Sequence, residues 1–283
     1  MDVKELQQKI QSDFRVFLTL VWRELDLPKP TRAQLCIAEY LQHGPKRLQI
    51  SAFRGVGKSW ITAAFVLWTL YLDPDKKIMV ISASKERADN FSIFCQKLII
   101  DISWLNHLAP NSDDQRWSRI SFDVGPAKPH QAPSCKSAGI GGSLTGSRSD
   151  LLIFDDVEVP NNSATDMQRE KLLQLITEAE SILTPKDDSR ICFLGTPQST
   201  FTVYRKLAER NYRPFVWPAR YPKDIGQYEG LLAPQLVDDL EQGVEEWSPT
   251  DSRFGELDLQ ERETSMGRSN FMLQFQLDTS LSD

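Results

Sequence analysis

A glycine-rich stretch between a short and a long apolar run constrains the fold more than any other feature of this sequence. The stretch is Ser51–Ser59, with the letters SAFRGVGKS, which follows Leu48–Ile50 and precedes Trp60–Leu72. A strand, a glycine turn and a helix in this order are the context that a phosphate-binding P-loop requires. The glycines let backbone N–H groups turn inward around phosphate oxygens, and the helix points its positive end at the same oxygens. The sequence therefore predicts a nucleotide site here.

Two side chains at the end of the stretch have roles that follow from their chemistry. Lys58 would reach the β- and γ-phosphates, and the Ser59 hydroxyl would hold Mg²⁺. The loop departs from the pattern G-x-x-x-x-G-K-[ST], because Ala52 replaces the first glycine. A chance Gly-Lys-Ser is the alternative, and the flanking strand and helix, with Gly55, argue against it. The predicted nucleotide contacts are Ser51, Ala52, Phe53, Arg54, Gly55, Val56, Gly57, Lys58, Ser59 and Trp60.

Composition limits the remaining possibilities. The chain has 283 residues, 40% hydrophobic and 25% charged, which allows one large globular domain or two small ones. The net charge of −6 argues against a basic DNA-coating protein, so any DNA contact would come from a local patch or a ring of subunits. The four cysteines form no C-x-x-C pair, which favours reduced thiols over a disulfide or zinc framework. The longest apolar run is too short to span a membrane, so no membrane partner is expected.

Apolar periodicity predicts helices alternating with short buried strands. A helix is expected from residue 1 to about 26, and Thr31 is a suitable N-cap for a second helix over Arg32–Leu41. Strands are predicted at Leu48–Ile50, Lys77–Ser82, Ser134–Ile140, Leu151–Phe154, Arg190–Leu194 and Pro214–Trp217. This alternation predicts a mainly parallel sheet flanked by helices.

Gln34 lies on the first turn of the second helix, shortly before the P-loop. A glutamine at such a position reads the adenine edge in many ATPases, because its amide both donates and accepts hydrogen bonds. A solvated helix glutamine is the alternative, and spacing does not separate the two.

Acidic residues follow the strand at Leu151–Phe154 directly, as in a Walker B motif. Asp155 would support the Mg²⁺ held by Ser59. A second acid is needed to orient the attacking water, and Asp156 and Glu158 are both candidates. The alternative is a strand that ends in an acidic turn without function.

Two further features accompany the P-loop and the acids. Gly195, Thr196 and Pro197 close the strand at Arg190–Leu194, where a small polar residue can sense the γ-phosphate. Arg148 ends a long stretch rich in glycine and proline, just before the Walker B strand, at the edge where ligands gather in such sheets.

The predicted fold is an α/β P-loop NTPase of the recombinase-like ASCE type. Residues 1–222 would form the ATPase core, with the helical adenine-side segment at its start. Residues 223–283 are acidic and helical in pattern, and would form a small lid or linker subdomain.

Several stretches distributed over essentially the whole chain are similar to those of one protein family. They are Asp13–Gln34, Ser51–Ser59, Ile81–Asp89, Leu144–Arg148, Asp155–Glu158, Leu194–Gln198 and Leu273–Phe275. On these stretches the chain resembles the N-terminal ATPase part of the large terminase subunit of tailed double-stranded DNA phages, of the short-tailed podovirus type. The replacement at Ala52 and the arginine at position 54 are themselves typical of this family.

The resemblance implies a motor that uses ATP and Mg²⁺ to pump double-stranded DNA into a procapsid. It implies a ring, a pentamer, docked transiently on the portal protein in the host cell cytoplasm, with a small terminase subunit as a further partner. The family also carries a C-terminal nuclease of RNase H-like fold. No strand-borne acid cluster follows Pro222, so we expect this nuclease to be absent and the chain to contain the motor alone.

The resemblance also implies roles for individual residues. Arg54 would sense or stabilise the γ-phosphate, and Arg148 would be a finger that reaches a neighbouring subunit's site. Thr196, with Gly195 and Pro197, would form the coupling motif. The Asp-Asp-x-Glu sequence departs from the commoner Asp-Glu ending, which leaves the catalytic acid open between Asp156 and Glu158.

Two other classes of function share some of these features. A nucleic-acid helicase has the same P-loop, Walker B and sensor motifs, but it needs a second recombinase-like domain for which the chain has no room. A nucleotide-dependent assembly or scaffold protein would not act on DNA. The paired acids and Arg54 argue for hydrolysis instead.

Overall fold

A computed structural model of the chain describes residues 3–142, 144 and 146–279, with the side chain of Val3 left out. Thr145 of the stretch Leu144–Arg148 and the end of the predicted range 223–283 lie outside the described residues. A seven-stranded sheet has the order β3-β4-β2-β5-β6-β1-β7. The strands are β1 (Arg47–Ala52), β2 (Ile78–Ser82), β3 (Ser121–Phe122), β4 (Cys135–Gly139), β5 (Leu151–Asp155), β6 (Arg190–Gly195) and β7 (Arg213–Trp217). Every pairing is parallel except β3 with β4, so the predicted mainly parallel sheet is confirmed.

Helices cover both faces of this sheet. They are α1 (Val3–Ser12), α2 (Phe14–Glu24), α3 (Arg32–His43), α4 (Lys58–Leu72), α5 (Lys85–Asp101), α6 (Pro160–Ser163), α7 (Asp166–Glu180), α8 (Val203–Ala208), α9 (Pro234–Glu241), α10 (Glu256–Met266) and α11 (Arg268–Gln274). Short 3-10 helices occupy Ser103–Leu108 and Ile225–Tyr228.

The single helix predicted from residue 1 to about 26 is wrong, because the chain breaks between α1 and α2. Asp13 has extended backbone angles, and its carboxylate accepts the Arg15 N–H (2.9 Å) as the N-cap of α2. An aspartate competes well for such a cap, and the apolar periodicity continues across the break.

The core consists of two apolar clusters, one on each face of the sheet. Along β5, Leu151 and Ile153 join one cluster, whereas Leu152 and Phe154 join the other. Successive side chains of a strand point to opposite faces, so a strand buried on both faces reads as a continuous apolar run. The first cluster includes α2, α3 and α4, and the second includes α7 and α8.

The segment after β7 packs on the first of these clusters. Leu259, Phe271 and Phe275 are buried there, and the Ala219 N–H donates to the Phe275 carbonyl oxygen (2.8 Å). The predicted helical character of residues 223–283 is confirmed by α9, α10 and α11. A boundary at residue 222 stays a prediction.

Three strand ends meet where the sequence predicted a site. β5, β6 and β1 are adjacent and parallel, with Leu194 in register with Asp155 and Gly195 in register with Ser51. We call the edge at which these strands end the carboxyl edge, and the opposite edge the amino edge. Ligands gather at the carboxyl edge of such sheets.

The cysteines and the long helices also bear on the expectations from composition. Cys36, Cys95, Cys135 and Cys192 are buried and unpaired in the part of the chain that the structure describes. Among the described residues, no helix combines the length and the apolar character that crossing a membrane requires.

Candidate nucleotide site

The loop between β1 and α4 has the backbone geometry of an anion-binding nest. Gly55 and Gly57 have φ values of 100° and 94°, which side-chain-bearing residues rarely adopt. Within the described residues, the N–H groups of Gly55, Gly57, Lys58 and Ser59 donate no hydrogen bond. Unpaired N–H groups at a helix N-terminus are a ready site for phosphate.

Lys58 lies buried at the centre of this edge and joins two of the predicted motifs. Its Nζ donates to Thr196 Oγ1 (2.7 Å) and to the Ala52 carbonyl oxygen (3.2 Å). The Thr196 hydroxyl in turn donates to the same carbonyl oxygen (2.8 Å). Lys58 Nζ is also 3.9 Å from Asp156 Oδ1. A positive charge therefore stands between the P-loop, the coupling motif and the acids.

Asp155 ends β5 with a carboxylate that is 5% exposed. Its Oδ1 is buried with no hydrogen-bond partner among the described residues. Burial and the neighbouring Asp156 charge raise the pKa of Asp155 to about 7, against a hydrogen bond with Ser59 that lowers it. A buried carboxylate with an unused oxygen beside a hydroxyl suits a hard cation such as Mg²⁺, which prefers oxygen ligands. The predicted pair for the metal therefore fits one.

A cavity of about 380 Å³ opens beside this pair. It is lined by Ser59, Trp60, Ser82, Arg87, Asn90, Phe91, Phe94, Asp155 and Asp156. The exposed Trp60 ring lies against Phe94, with ring centroids 4.7 Å apart.

The two candidate acids differ in what their carboxylates contact. Asp156 is half-buried, faces Lys58, and has a positive φ of 47°. Glu158 is fully buried, and its Oε1 accepts the Gln198 N–H (2.8 Å). Its Oε2 accepts the Thr202 hydroxyl (2.8 Å) and the Val203 N–H (2.7 Å) at the start of α8. Burial raises the pKa of Glu158, although these three hydrogen bonds act in the opposite direction.

Gln34 is buried and linked to the P-loop. Its Nε2 donates to the Val56 carbonyl oxygen (2.9 Å), and its Oε1 accepts the Thr31 N–H (3.0 Å) in the capping box of α3. The solvated alternative is therefore wrong, because the residue is 2% exposed. Its reading of adenine stays a prediction.

The two arginines lie in different places. Arg54 is exposed on the P-loop, where its Nη1 donates to Gln274 Oε1 (3.0 Å) and its N–H to the Gln274 carbonyl oxygen (3.1 Å). Arg148 precedes β5, and it is exposed with its Nη1 donating to the Ser147 carbonyl oxygen (3.0 Å). Its expected place at the ligand edge is wrong, because β5 runs parallel to its neighbours and begins at the amino edge. A role in a neighbouring subunit's site stays a prediction.

Several of the other predicted residues have a buried side chain or, as in Gly195, none. The side chains of Ser51, Ala52, Phe53 and Val56 are buried. Gly195 must lack a side chain, because a Cβ there would lie 2.0 Å from the Tyr204 hydroxyl. Pro197 lines a small cavity of about 100 Å³, together with residues of β1, β7 and α8.

Arg253, which no sequence motif predicts as a site residue, lies against the P-loop. Its Nη2 donates to the carbonyl oxygens of Gly55 (3.2 Å) and Val56 (3.0 Å). Arg253 is at least 197 positions from Gly55 and Val56 in the chain, so no local sequence pattern predicts this contact.

The fold and this site define a class, the α/β P-loop NTPases. The Thermus phage P74-26 large terminase ATPase domain has a similar fold, with a TM-score of 0.51 and 12% identity over 91% of this chain and 96% of that one. The HK97 bacteriophage large terminase also has a TM-score of 0.51, with 14% identity over 86% of this chain and 48% of that one. At these identities the likeness concerns the fold alone.

The sequence is also similar to that of a phage protein. The terminase large subunit of Enterobacteria phage T3 is 48% identical to this chain, in a match that covers 97% of this chain and 48% of that protein. The resemblance to large terminase subunits is thereby confirmed, and the chain spans about half the length of this relative. No protein-family model matches the sequence.

Proposed function

We propose that this chain is the ATPase motor of viral DNA packaging, which hydrolyses ATP to translocate double-stranded DNA into a procapsid through the portal. Four loop N–H groups without a partner in the described part of the chain meet Lys58 and Asp155 at one sheet edge, and this observation carries the proposal. The relationship to a terminase large subunit directs this chemistry to DNA packaging.

The loop and Lys58 would hold the phosphates of ATP. Unpaired N–H groups and the positive end of α4 would bind the phosphate oxygens, and Lys58 would offset the charge that develops during transfer. Ser59 and Asp155 would hold Mg²⁺, which supplies charge neutralisation at the phosphates when bound. Arg54, on the exposed face of the loop, is placed to add a second positive charge.

Asp156 is the better candidate for the acid that orients water. Its carboxylate is half-buried at the carboxyl edge and 3.9 Å from Lys58 Nζ. Glu158 has both oxygens committed to Gln198, Thr202 and Val203. We therefore assign Glu158 to holding the coupling segment against the Walker B strand.

Thr196 would connect phosphate binding to the rest of the molecule. Its hydroxyl accepts a hydrogen bond from the Lys58 ammonium. The segment that follows Thr196 leads into α8, whose first N–H, that of Val203, donates to Glu158. A phosphate that draws Lys58 away would free Thr196, which gives residues 195–197 a route to sense the nucleotide.

The wider assignments come from the family. They are double-stranded DNA, the portal protein, the procapsid and a small terminase subunit as partners, with a pentameric ring as the working assembly in the host cell cytoplasm. Residues 1–222 would be the ATPase core, and residues 223–283 the lid or linker.

ATP hydrolysis by this chain, measured alone, with double-stranded DNA, and with DNA and procapsids, tests the proposal. We expect slow Mg²⁺-dependent hydrolysis that DNA and procapsids together stimulate. Hydrolysis coupled to strand separation of a tailed duplex, without any effect of procapsids, would point to a helicase. Nucleotide binding without hydrolysis under all three conditions would point to a scaffold protein and overturn the proposal.

A further inference from the structure

The carbonyl oxygens of the P-loop need hydrogen-bond donors that a bound nucleotide would not provide. When the loop turns its N–H groups toward phosphate, it turns carbonyl oxygens away from it, and these need donors of their own. Two side chains supply them. Arg253 Nη2 donates to Gly55 (3.2 Å) and Val56 (3.0 Å), and Gln34 Nε2 donates to Val56 (2.9 Å).

A buried carboxylate fixes the guanidinium of Arg253. Asp251 is 0% exposed, and it accepts from Arg253 Nη2 (2.7 Å) and Nε (3.1 Å), while its Oδ1 also accepts the Arg253 N–H (3.0 Å). A bidentate arginine–carboxylate pair of this kind fixes the orientation of the guanidinium as well as balancing its charge. The Arg253 side chain keeps 32% exposure, so it is not simply a buried core cation.

Thr31 connects the two donors to each other. Its hydroxyl donates to Asp251 Oδ2 (3.2 Å), and its N–H donates to Gln34 Oε1 (3.0 Å). Gln34 and Arg253 are therefore parts of a closed ring of hydrogen bonds, which meets at the Val56 carbonyl oxygen.

Phe254 covers the loop beside Arg253. Its ring packs edge-on against Phe53, with centroids 5.3 Å apart, and a Cβ on Gly55 would lie 3.0 Å from it. The outer side of the loop is thus held by two adjacent residues that come from the segment after β7.

We infer that Arg253 is a positioning residue for phosphate binding: it holds the P-loop carbonyls outward so that the loop N–H groups are already aimed at the phosphates. This inference rests on the proposed function. A loop ordered before binding loses less conformational freedom when the ligand arrives, which strengthens binding. Arg253 touches no reacting atom, so its effect should fall on nucleotide affinity.

The test compares two arginines of the same segment. Arg253→Ala removes both loop hydrogen bonds. Arg262→Ala is the matched control, because Arg262 pairs with Asp258 (3.1 Å) and lies 5.3 Å from the Phe254 ring centroid without a hydrogen bond to the loop among the described residues. Calorimetry gives the Kd of ATP and ADP, steady-state kinetics give kcat and KM, and thermal melting reports folding.

Arg253→Ala should raise the Kd of both nucleotides and the KM for ATP roughly tenfold, the size expected for a hydrogen bond from a charged donor. Its kcat should stay within about twofold of wild type, since the residue acts on binding. Arg262→Ala should bind like wild type. Arg253→Lys keeps the charge but lacks the planar guanidinium that pairs with Asp251 through two nitrogens, so it should give an intermediate Kd.

The outcomes separate this inference from the proposed function. A wild-type chain that binds neither ATP nor ADP would overturn the proposed function itself. Wild-type binding with an unchanged Kd in Arg253→Ala would overturn the inference and leave the function standing. If Arg253→Ala fails to fold, Arg253→Lys decides, and a wild-type Kd in that variant would equally overturn the inference.

Discussion

The two ends of β5 place buried aspartates in opposite circumstances. Asp150, just before the strand, is 2% exposed and receives the Lys77 N–H (3.0 Å), the Thr184 hydroxyl (2.6 Å) and the Lys186 ammonium (2.8 Å). Burial raises its pKa, but the hydrogen bonds from Lys186 and Thr184 leave the pKa below its ordinary value. Asp155, at the other end, keeps an oxygen without a partner among the described residues, and its pKa is raised to about 7.

The difference indicates that Asp150 has a structural role and that Asp155, at the other end of the same strand, has a role in ligand binding. A buried carboxylate costs free energy unless hydrogen bonds or a cation compensate it. The amino edge supplies that compensation from the chain itself. The carboxyl edge compensates Asp155 only in part, through Ser59 and nearby positive charge. A site that binds a cation and phosphates is expected to have this character.

The largest effect should come from removing the charge at the carboxyl edge. Lys58→Ala should lower the rate of ATP hydrolysis at least about 10²–10³-fold, because it deletes a preorganised cation at the transferred phosphate. Lys186→Ala, which removes a lysine of the amino edge, is the control and should keep wild-type turnover. Wild-type turnover in Lys58→Ala would show that the loop is structural.

The next prediction concerns the two acids after β5. Asp156→Asn should lower kcat about 10²-fold or more while leaving the Kd for ATP nearly unchanged, since a positioned general base contributes on this scale. Glu158→Gln should act on stability instead, because one of the two accepting oxygens would become an NH₂ donor that faces a backbone N–H in either orientation of the amide. Denaturant unfolding and single-turnover hydrolysis distinguish them. Hydrolysis lost in a stably folded Glu158→Gln, and retained in Asp156→Asn, would reverse the assignment.

Much of the carboxyl edge could be predicted because its parts are local in sequence. The glycine turn within Ser51–Ser59 follows β1 and Asp155 ends β5, and parallel strands bring such ends together. The prediction for Arg148 is wrong because a residue just before a parallel strand lies at the edge opposite to the carboxyl end of that strand. Sequence also does not say which acid has its oxygens satisfied, since the partners of Glu158 begin 40 positions later. Arg253 could not be predicted either, because its contacts with the P-loop join residues that are distant in the sequence.

Substituting Asp150 should lower stability, whereas substituting Asp155 should affect ligand binding and leave stability unharmed. Asp150→Ala should lower the free energy of unfolding by about 1–3 kcal/mol, because it leaves the Lys77 N–H without its acceptor and removes the nearest acceptor of the Thr184 hydroxyl. Asp155→Ala removes a buried carboxylate that the chain compensates only in part. It should be neutral or stabilising without ligands, while abolishing Mg²⁺-dependent nucleotide binding. Urea unfolding at neutral pH, without metal or nucleotide, measures both. Equal destabilisation by the two substitutions would remove the distinction between the two edges.

The smallest effect should be the pH dependence that Asp150 contributes. Its pKa in the folded chain lies below its ordinary value of 3.8, so the folded state binds this proton less tightly than the unfolded state. The stabilisation is therefore fully present above pH 3.8 and is lost as the pH falls through the lower, folded-state pKa. Asp150→Asn cannot titrate, so the difference in unfolding free energy between wild type and this variant should be constant near neutral pH and shrink in acid. Its slope cannot exceed about 1.4 kcal/mol per pH unit, the limit for one proton. Urea unfolding between pH 2.5 and 7 measures the difference, and a gap that stays constant through the acid range would mean that Asp150 is not held ionised by Lys186 and Thr184.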